Sequence, residues 1–305
     1  MKKLFQIFKK SDWGLLINWK FHEQNRWVCA QTPYFINAII REFNPIIISS
    51  QIEYELHKRK LRNIISMEPG WGVPKINYDK KQKHTIAVFV SDPHNKANWF
   101  CDYIDNNEID FVFSYYYYPF LYHFPQFDRS KLIHMPWAVP DEFIIDPDSI
   151  INHNQNKIHI FGGSMSDAYD TRNWCRKFPF VEDHQNSGCE NKIMSDVEYF
   201  RWGQQYDAII AAGSLSERYQ LVTPKYFEIA AGGSLLFAQY CKDLELLGFD
   251  ETNCIIFNRD NFEQYALGYL KKRSDYDDLR RNGCILIKNR HKISDRINKI
   301  KLIMQ

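Results

Sequence analysis

The fold of this chain is decided by the stretch Thr223–Tyr240, TPKYFEIAAGGSLLFAQY, where a helical pattern ends at a double glycine and passes directly into an apolar strand. Pro224 suits the first turn of the helix, and Gly232-Gly233 ends the helix before the strand begins at Ser234. A helix that closes on glycine and leads into a buried strand is typical of α/β proteins. The stretch therefore predicts a helix packed against a sheet.

Two charged residues of this helix indicate a ligand. Lys225 and Glu228 lie three positions apart and therefore share one helical face. A cation beside a carboxylate, close to a glycine turn where a ligand can approach the backbone, fits a molecule that carries both phosphate and hydroxyl groups. Nucleotide sugars are such molecules. The same spacing also fits an ordinary solvated ion pair, which α/β proteins of any function contain.

On both sides of this stretch, apolar runs of strand length alternate with helical patterns, which predicts mainly parallel sheets covered by helices. In the first half we predict strands at 14–18, 45–49, 63–67, 85–90, 111–113 and 132–135 and helices at 33–43, 52–61 and 99–107. In the second half we predict strands at 157–161, 207–212, 234–238 and 253–257, and helices at 172–177, 261–272, 274–281 and 291–304. The fold class predicted is α/β, with two Rossmann-like domains that face a central cleft. We place them at residues 1–145 and 146–305, because a segment rich in proline, acids and asparagine connects the two halves.

A second glycine turn follows the first predicted strand of the second half. Phe161-Gly162-Gly163-Ser164 ends that strand, and Asp167–Arg172 can begin a helix. Backbone amides exposed by paired glycines, together with a helix N-terminus, favour an anionic phosphate group. The run lacks the spacing G-x-G-x-x-G, so it does not indicate a dinucleotide. Paired glycines at a strand end also form simple tight turns.

The region from Phe161 to Gly283 resembles the donor-binding half of GT-B glycosyltransferases, most closely the group related to the spore-maturation protein CgeB. That group carries a basic-x-F-E-x-x-A-x-G-G run, and a strand, G-S loop and Y-x-x-R sequence that Tyr169 and Arg172 match. The resemblance implies that Glu228 holds ribose hydroxyls and that Lys225 faces the diphosphate. It also implies that the donor is a nucleotide-diphosphate sugar, with a UDP-sugar favoured, and that no cofactor or protein-bound metal is required. For the fold, it implies two domains of the GT-B type, with a terminal helix that returns to the first domain.

One position departs from that family pattern. Many relatives carry a second glutamate eight positions before the first, near the transferred sugar, and this chain has Gln220 there. The resemblance therefore does not fix the contact to the donor sugar or the stereochemical outcome.

A candidate for the catalytic base lies in the first half. The predicted strand that ends at Val90 is followed by Ser91-Asp92-Pro93-His94, which places a carboxylate and an imidazole on a turn at a strand end. An inverting transfer needs a base for the acceptor hydroxyl, and Asp92 or His94 can serve if its pKa is suitable. Alternatively, an Asp-Pro turn stops the strand and caps the next helix.

Composition narrows the class of protein. Lys and Arg number 39 against 37 Asp and Glu, a formal net charge of +2, which does not indicate a nucleic-acid-binding surface although it does not exclude one. The seven cysteines are dispersed without a C-x-x-C pair, which favours a reducing cytoplasm and gives no zinc-binding spacing. No apolar window is long enough to predict a transmembrane segment.

The sequence therefore predicts a cytoplasmic glycosyltransferase whose partners are a nucleotide-sugar donor and a carbohydrate or other hydroxyl acceptor, such as a glycan, a lipid-linked group or a modified base. Three alternatives stay open. An epimerase of the GT-B type would share the donor site without an acceptor. A non-catalytic nucleotide-sugar-binding protein would neither hydrolyse nor transfer the donor. A transferase acting on modified nucleobases of DNA would bind DNA in a salt-dependent way.

Overall fold

The computed structural model describes residues 10–18, 29–70, 73–96, 99–162, 164, 166–184 and 194–305. The chain forms two compact units, each built on its own parallel sheet. The first unit comprises Met1–Arg26, Phe35–Pro136 and Ile297–Gln305, and the second comprises Trp27–Tyr34 and Trp137–Arg296. The predicted fold class, two α/β units with parallel sheets, is confirmed. The predicted boundary after residue 145, the cleft and the returning terminal helix stay predictions.

The first unit contains a sheet of six parallel strands in the order β2-β1-β3-β4-β5-β6. The strands are β1 (Trp13–Leu16), β2 (Ile46–Ile48), β3 (Asn63–Ser66), β4 (Thr85–Val90), β5 (Phe111–Ser114) and β6 (Leu132–His134). The helices that belong wholly or mainly to this unit are α1 (Gln31–Phe43), α2 (Gln51–His57), α3 (Trp99–Asn106), α4 (Tyr118–His123) and α11 (Ile293–Met304). Most strand residues are apolar and buried on both faces, as expected of a sheet covered by helices.

The second unit contains five parallel strands in the order β11-β10-β9-β7-β8. They are β7 (Ile158–Phe161), β8 (Val181–His184), β9 (Ala208–Ala211), β10 (Leu235–Gln239) and β11 (Ile255–Phe257). The helices are α5 (Asp170–Cys175), α6 (Asp196–Gly203), α7 (Pro224–Ala231), α8 (Asp243–Leu247), α9 (Phe262–Lys271) and α10 (Asp277–Arg290). One face of the sheet buries a core that includes Phe237, Phe257 and Phe262. None of the helices in the described part of the chain has the length and apolar character needed to cross a membrane.

The predicted helix-to-strand junction is present at α7 and β10. Pro224 opens α7, and the backbone amide of Gly232 donates a hydrogen bond to the carbonyl of Glu228 at 3.0 Å. Gly233 has φ of +74°, and a Cβ atom there would lie 2.5 Å from Ile145 Cδ1. Only glycine satisfies both conditions, since it adopts positive φ without strain and leaves room for the packed side chain. The double glycine thus lets the chain turn directly from the helix into the sheet.

Candidate functional site

The residues predicted to bind the nucleotide-sugar donor lie near the carboxyl ends of the strands in the second unit. Strands β7 and β9 are neighbours, whereas the strand that follows β7 in the chain, β8, pairs on its other side. The strand order therefore reverses between β7 and β9. In open α/β sheets, ligands bind in the crevice beyond the carboxyl ends of the strands at such a reversal. The loop after β7 carries the predicted glycine turn, and the loop after β9 leads to α7.

The glycine turn and the predicted arginine meet closely. Gly162 has φ of +105°, and a Cβ atom built on it would lie 2.5 Å from Arg172 Nη1, so the guanidinium lies directly against the backbone. Arg172 Nη2 donates a hydrogen bond to the carbonyl of Ser164 at 2.8 Å, and the guanidinium stacks 3.8 Å from the centroid of the Tyr169 ring. The structure therefore brings Gly162, Ser164, Tyr169 and Arg172 together, and their role in donor binding stays a prediction. Gly163 lies outside the described residues.

Arg172 is a buried cation that forms no ion pair with a carboxylate of the described residues. Its residue surface is 5% exposed, and burial lowers the pKa of its guanidinium to about 10. Within the residues that the structure describes, no carboxylate forms an ion pair with Arg172, and its Nε atom is buried without a hydrogen-bond partner. By contrast, the neighbouring Arg176 pairs with Asp183 at 2.9 Å. A buried, uncompensated guanidinium is costly unless an anion binds to it, so this position suits a phosphate group.

The two charged residues of α7 lie beside an aromatic cavity. Lys225 and Glu228 are both half-buried, and the Lys225 ammonium lies 5.9 Å from the centroid of the Phe161 ring. The Tyr199 hydroxyl donates a hydrogen bond to Glu228 Oε2 at 2.9 Å. The cavity has a volume of about 30 Å³ and is lined by Phe161, Tyr199, Phe200, Trp202, Gly203, Ile209, Lys225, Glu228 and Ile229. Lys225 and Glu228 therefore share a partly enclosed site, and a simple solvated pair does not describe them.

Burial raises the pKa of Glu228, while the charge of Lys225 and the hydrogen bond from Tyr199 lower it. When Glu228 is ionised, its carboxylate can accept hydrogen bonds from hydroxyl groups of a ligand. Gln220, the third predicted residue of this region, is half-buried, and its side-chain amide donates to the carbonyl of Leu215 at 3.3 Å. This contact shapes the loop after β9, and the role of Gln220 toward a donor sugar stays a prediction.

Sequence reasoning missed the residues that fix these loops relative to one another. Gln239, the last residue of β10, accepts a hydrogen bond from the backbone amide of Gly213 at 2.7 Å and donates to Thr171 Oγ1 at 3.3 Å. The amide of Thr171 in turn donates to the carbonyl of Gly213 at 3.1 Å. The start of α5 and the loop after β9 are thereby joined to the end of β10. The signal in the sequence was a glutamine, Gln239, that directly follows the apolar residues of the predicted strand.

A second contact that the sequence did not predict holds the start of α5 near the surface of the second unit. Arg259, in the loop after β11, donates to Asp170 Oδ2 at 2.8 Å, and the backbone amide of Leu215 donates to Asp170 Oδ1 at 3.3 Å. The side chains of Arg259 and Asp170 are 33% and 41% exposed. An ion pair of this kind stabilises a fold by about 0.2–1 kcal/mol, so its main effect is to orient the first turn of α5.

In the first unit, the structure surrounds the predicted base Asp92 with a buried charge cluster. Glu68, which follows β3, is 3% exposed and has φ of +46°. One of its oxygens accepts a hydrogen bond from the backbone amide of Ser91, and the other lies 3.3 Å from Lys96 Nζ. Burial and, to a smaller extent, the charge of Glu68 raise the pKa of Asp92 to about 7, although Lys96 opposes the shift. Asp92 is therefore a carboxyl group poised to exchange a proton near neutral pH.

The capping interpretation of the Asp-Pro turn is not supported. Asp92 precedes a single turn of 3₁₀ helix, Pro93–Asn95, but its side chain makes no capping hydrogen bond. The imidazole of His94, the other predicted base, is half-buried and packs beside His123 with ring centroids 6.3 Å apart. Of the two candidates, Asp92 has the environment that adjusts its pKa toward that of a general base.

Comparison with solved structures agrees with this architecture. A glycosyltransferase from Rickettsia africae ESF-5 matches 97% of this chain and 98% of its own length, with 10% identity and a TM-score of 0.60. HepE from Anabaena in complex with UDP matches 95% of this chain and 98% of its own, with 8% identity and a TM-score of 0.59. The pneumococcal O-GlcNAc transferase GtfA in complex with UDP and GlcNAc matches 83% of this chain and 59% of its own, with 13% identity and a TM-score of 0.51.

The sequence identities are too low to show a common family. The structural similarity establishes the fold alone, which is two parallel-sheet α/β units of the GT-B architecture. No family model and no curated protein matches the sequence.

Proposed function

We propose that this protein is a glycosyltransferase that moves a sugar from a nucleotide-diphosphate sugar to a hydroxyl acceptor. The second unit binds the donor, with a UDP-sugar favoured, and the first unit supplies the general base. We also propose that the protein is related to the CgeB group, as the sequence resemblance suggests.

One observation carries the proposal. Arg172, in α5, is buried against Gly162 with no ion-paired carboxylate among the described residues, and it lies beside the loop that follows β7, next to the reversal of strand order. A diphosphate supplies the anion that such a guanidinium lacks, and the lysine of α7 adds a second cation. The glycosyltransferase neighbours bound to UDP add support by analogy of fold.

The chemistry follows from the roles of these groups. When the bond between the sugar and the diphosphate breaks, negative charge develops on the leaving oxygen, and Arg172 and Lys225 stabilise it. Glu228, already oriented by Tyr199, accepts hydrogen bonds from the ribose hydroxyls. Asp92 takes the proton of the acceptor hydroxyl as the acceptor oxygen attacks the anomeric carbon. The acceptor is a carbohydrate or another molecule that offers a hydroxyl group.

Calorimetric titration with UDP-, GDP-, ADP- and dTDP-sugars tests donor binding. We expect Lys225→Ala, Glu228→Gln and Arg172→Gln each to weaken the affinity for the preferred donor by about tenfold or more, since a hydrogen bond to a charged group contributes about 1.5–3 kcal/mol. The matched controls are Lys242→Ala and Glu217→Gln, which remove an exposed ion pair of 2.8 Å in the same unit. Affinities that stay unchanged in all three site variants would exclude the assigned donor site.

Turnover distinguishes the alternatives. Incubation with a labelled donor alone that yields an isomerised nucleotide sugar indicates an epimerase. Donor binding without hydrolysis or transfer to any hydroxyl acceptor indicates a non-catalytic binding protein, a possibility that Gln220 keeps open because it replaces a carboxylate by an amide. Salt-dependent binding to DNA, with transfer to a modified base, indicates the third alternative.

A further inference from the structure

Two histidines and a glutamate meet on one face of the second sheet, although they lie far apart in the sequence. His159 is on β7, and Glu182 and His184 are on the adjacent strand β8. Residues 159 and 182 are direct partners in the parallel register, and residue 184 lies two positions further along β8. Because side chains alternate between the two faces of a strand, all three side chains project from the same face.

The two histidines of this cluster have the separation of neighbouring metal ligands, and the carboxylate lies close to them. One ligand atom from each of the three residues lies within 4.8 Å of the other two. Nδ1 of His159 and Nε2 of His184 are hydrogen-bonded at 3.0 Å, and a metal ion bound by both atoms would replace the shared proton. Two nitrogen ligands at about 2.0–2.1 Å from a zinc ion stand roughly 2.9–3.4 Å apart, for angles of about 90–110° at the metal. The two imidazoles therefore already have the separation of neighbouring ligands.

His159 lies in a buried, aromatic environment. His159 is 3% exposed, and its Nε2 atom is buried with no hydrogen-bond partner in the described part of the chain. A buried imidazole with an unsatisfied nitrogen is destabilising, whereas the Nδ1 atom of the same ring faces His184. Aromatic rings surround the histidines, with the Tyr206 centroid 4.3 Å from that of His159 and the Trp202 centroid 5.8 Å from that of His184.

We propose that His159, Glu182 and His184 form a binding site for a divalent transition-metal ion of the zinc type. Two imidazoles and one carboxylate are a donor set that such ions prefer, whereas magnesium and calcium prefer oxygen ligands. Glu182 is exposed, which gives the ion a path from solvent, and His159 is buried, which excludes water from one side. The bound ion links β7 to the edge strand β8. This proposal is independent of the proposed glycosyl transfer.

Titration of the metal-free protein with zinc chloride and, separately, with magnesium chloride tests the site. We expect one zinc ion per chain, a rise in the midpoint of thermal unfolding with zinc alone, and visible absorption bands of a nitrogen- and oxygen-ligated ion with cobalt(II). Glu182→Gln and His184→Ala should each weaken zinc binding by about tenfold or more. His153→Ala, which removes an exposed histidine of the same unit, is the control and should bind like the wild type.

Glu182→Gln changes an exposed side chain, so its result stands even if His184→Ala fails to fold. The proposal is overturned if the wild type binds no zinc, if magnesium binds equally well, or if Glu182→Gln retains the affinity of His153→Ala.

Discussion

The half-buried carboxyl group of Asp92 should make the stability of the first unit depend on pH in a direction that most aspartates do not produce. The pKa of Asp92 is raised from 3.8 in the unfolded chain to about 7 in the folded protein. Between these values the folded state retains a proton that the unfolded chain has released. The free energy of unfolding that Asp92 contributes is therefore fully present below pH of about 4 and is lost as the pH rises through about 7.

The magnitude follows from the size of the shift. Each unit of pKa difference corresponds to about 1.4 kcal/mol, and a shift of about three units gives an upper limit of about 4 kcal/mol. Small rearrangements and water entry reduce this value, so we expect about 2–4 kcal/mol. Asp92→Asn removes the titrating group while it keeps the size of the side chain. Relative to the wild type, the variant should therefore gain stability by this amount as the pH rises.

Urea unfolding at about pH 4.5 and about pH 8, followed through the NMR signals of the β4 amides, measures this difference in the first unit. Asp102→Asn, a change at an exposed position of α3, is the control for the loss of one carboxylate. A carbon-13 titration of the aspartate carboxyl groups gives the pKa directly. The reasoning is refuted if Asp92→Asn differs from the wild type by the same free energy at both pH values, or if its carboxyl signal titrates near pH 4.

Three further predictions concern the second unit. Gly162→Ala should lower stability by about 1–2 kcal/mol and weaken donor binding, because φ of +105° is strained for alanine and the new Cβ displaces Arg172; thermal unfolding and calorimetry measure the two effects. Ser195→Ala should cost about 1 kcal/mol in chemical unfolding, since it removes the capping box that Ser195 forms with Glu198 at the start of α6. Phe237→Ala should cost about 3–5 kcal/mol in the same assay, because it empties a fully buried position of the core.

The strands buried on both faces were predictable from the sequence. The run predicted at 85–90 coincides with β4 (Thr85–Val90), because a strand covered by helices on both faces must be apolar throughout. By contrast, β8 (Val181–His184) was missed, since its sequence VEDH belongs to an edge strand with polar side chains and contains no apolar run. Helix α6 was also missed, although the S-x-x-E spacing at its start is a recognised capping signal.

The candidate site was predictable only where its residues are close in the sequence. The strand, glycine turn and helix that bring Gly162 to Arg172 span a few residues, so their pattern predicts their meeting. The hydrogen bond from Tyr199 to Glu228 joins residues 29 positions apart, and no local pattern indicates it. The raised pKa of Asp92 likewise depends on Glu68, whose approach is set by the pairing of β3 with β4.

Strand β8 also bears on how molecules of this protein meet each other. Among the described strands it pairs on one side only, so it forms an edge of the second sheet. Such an edge can recruit a strand from a second molecule and start aggregation. Glu182 and Asp183 are consecutive and project to opposite faces of the strand; Asp183 is paired with Arg176, whereas Glu182 is exposed. A second copy aligned along this edge brings its own Glu182 near this one, and the repulsion opposes intermolecular growth of the sheet.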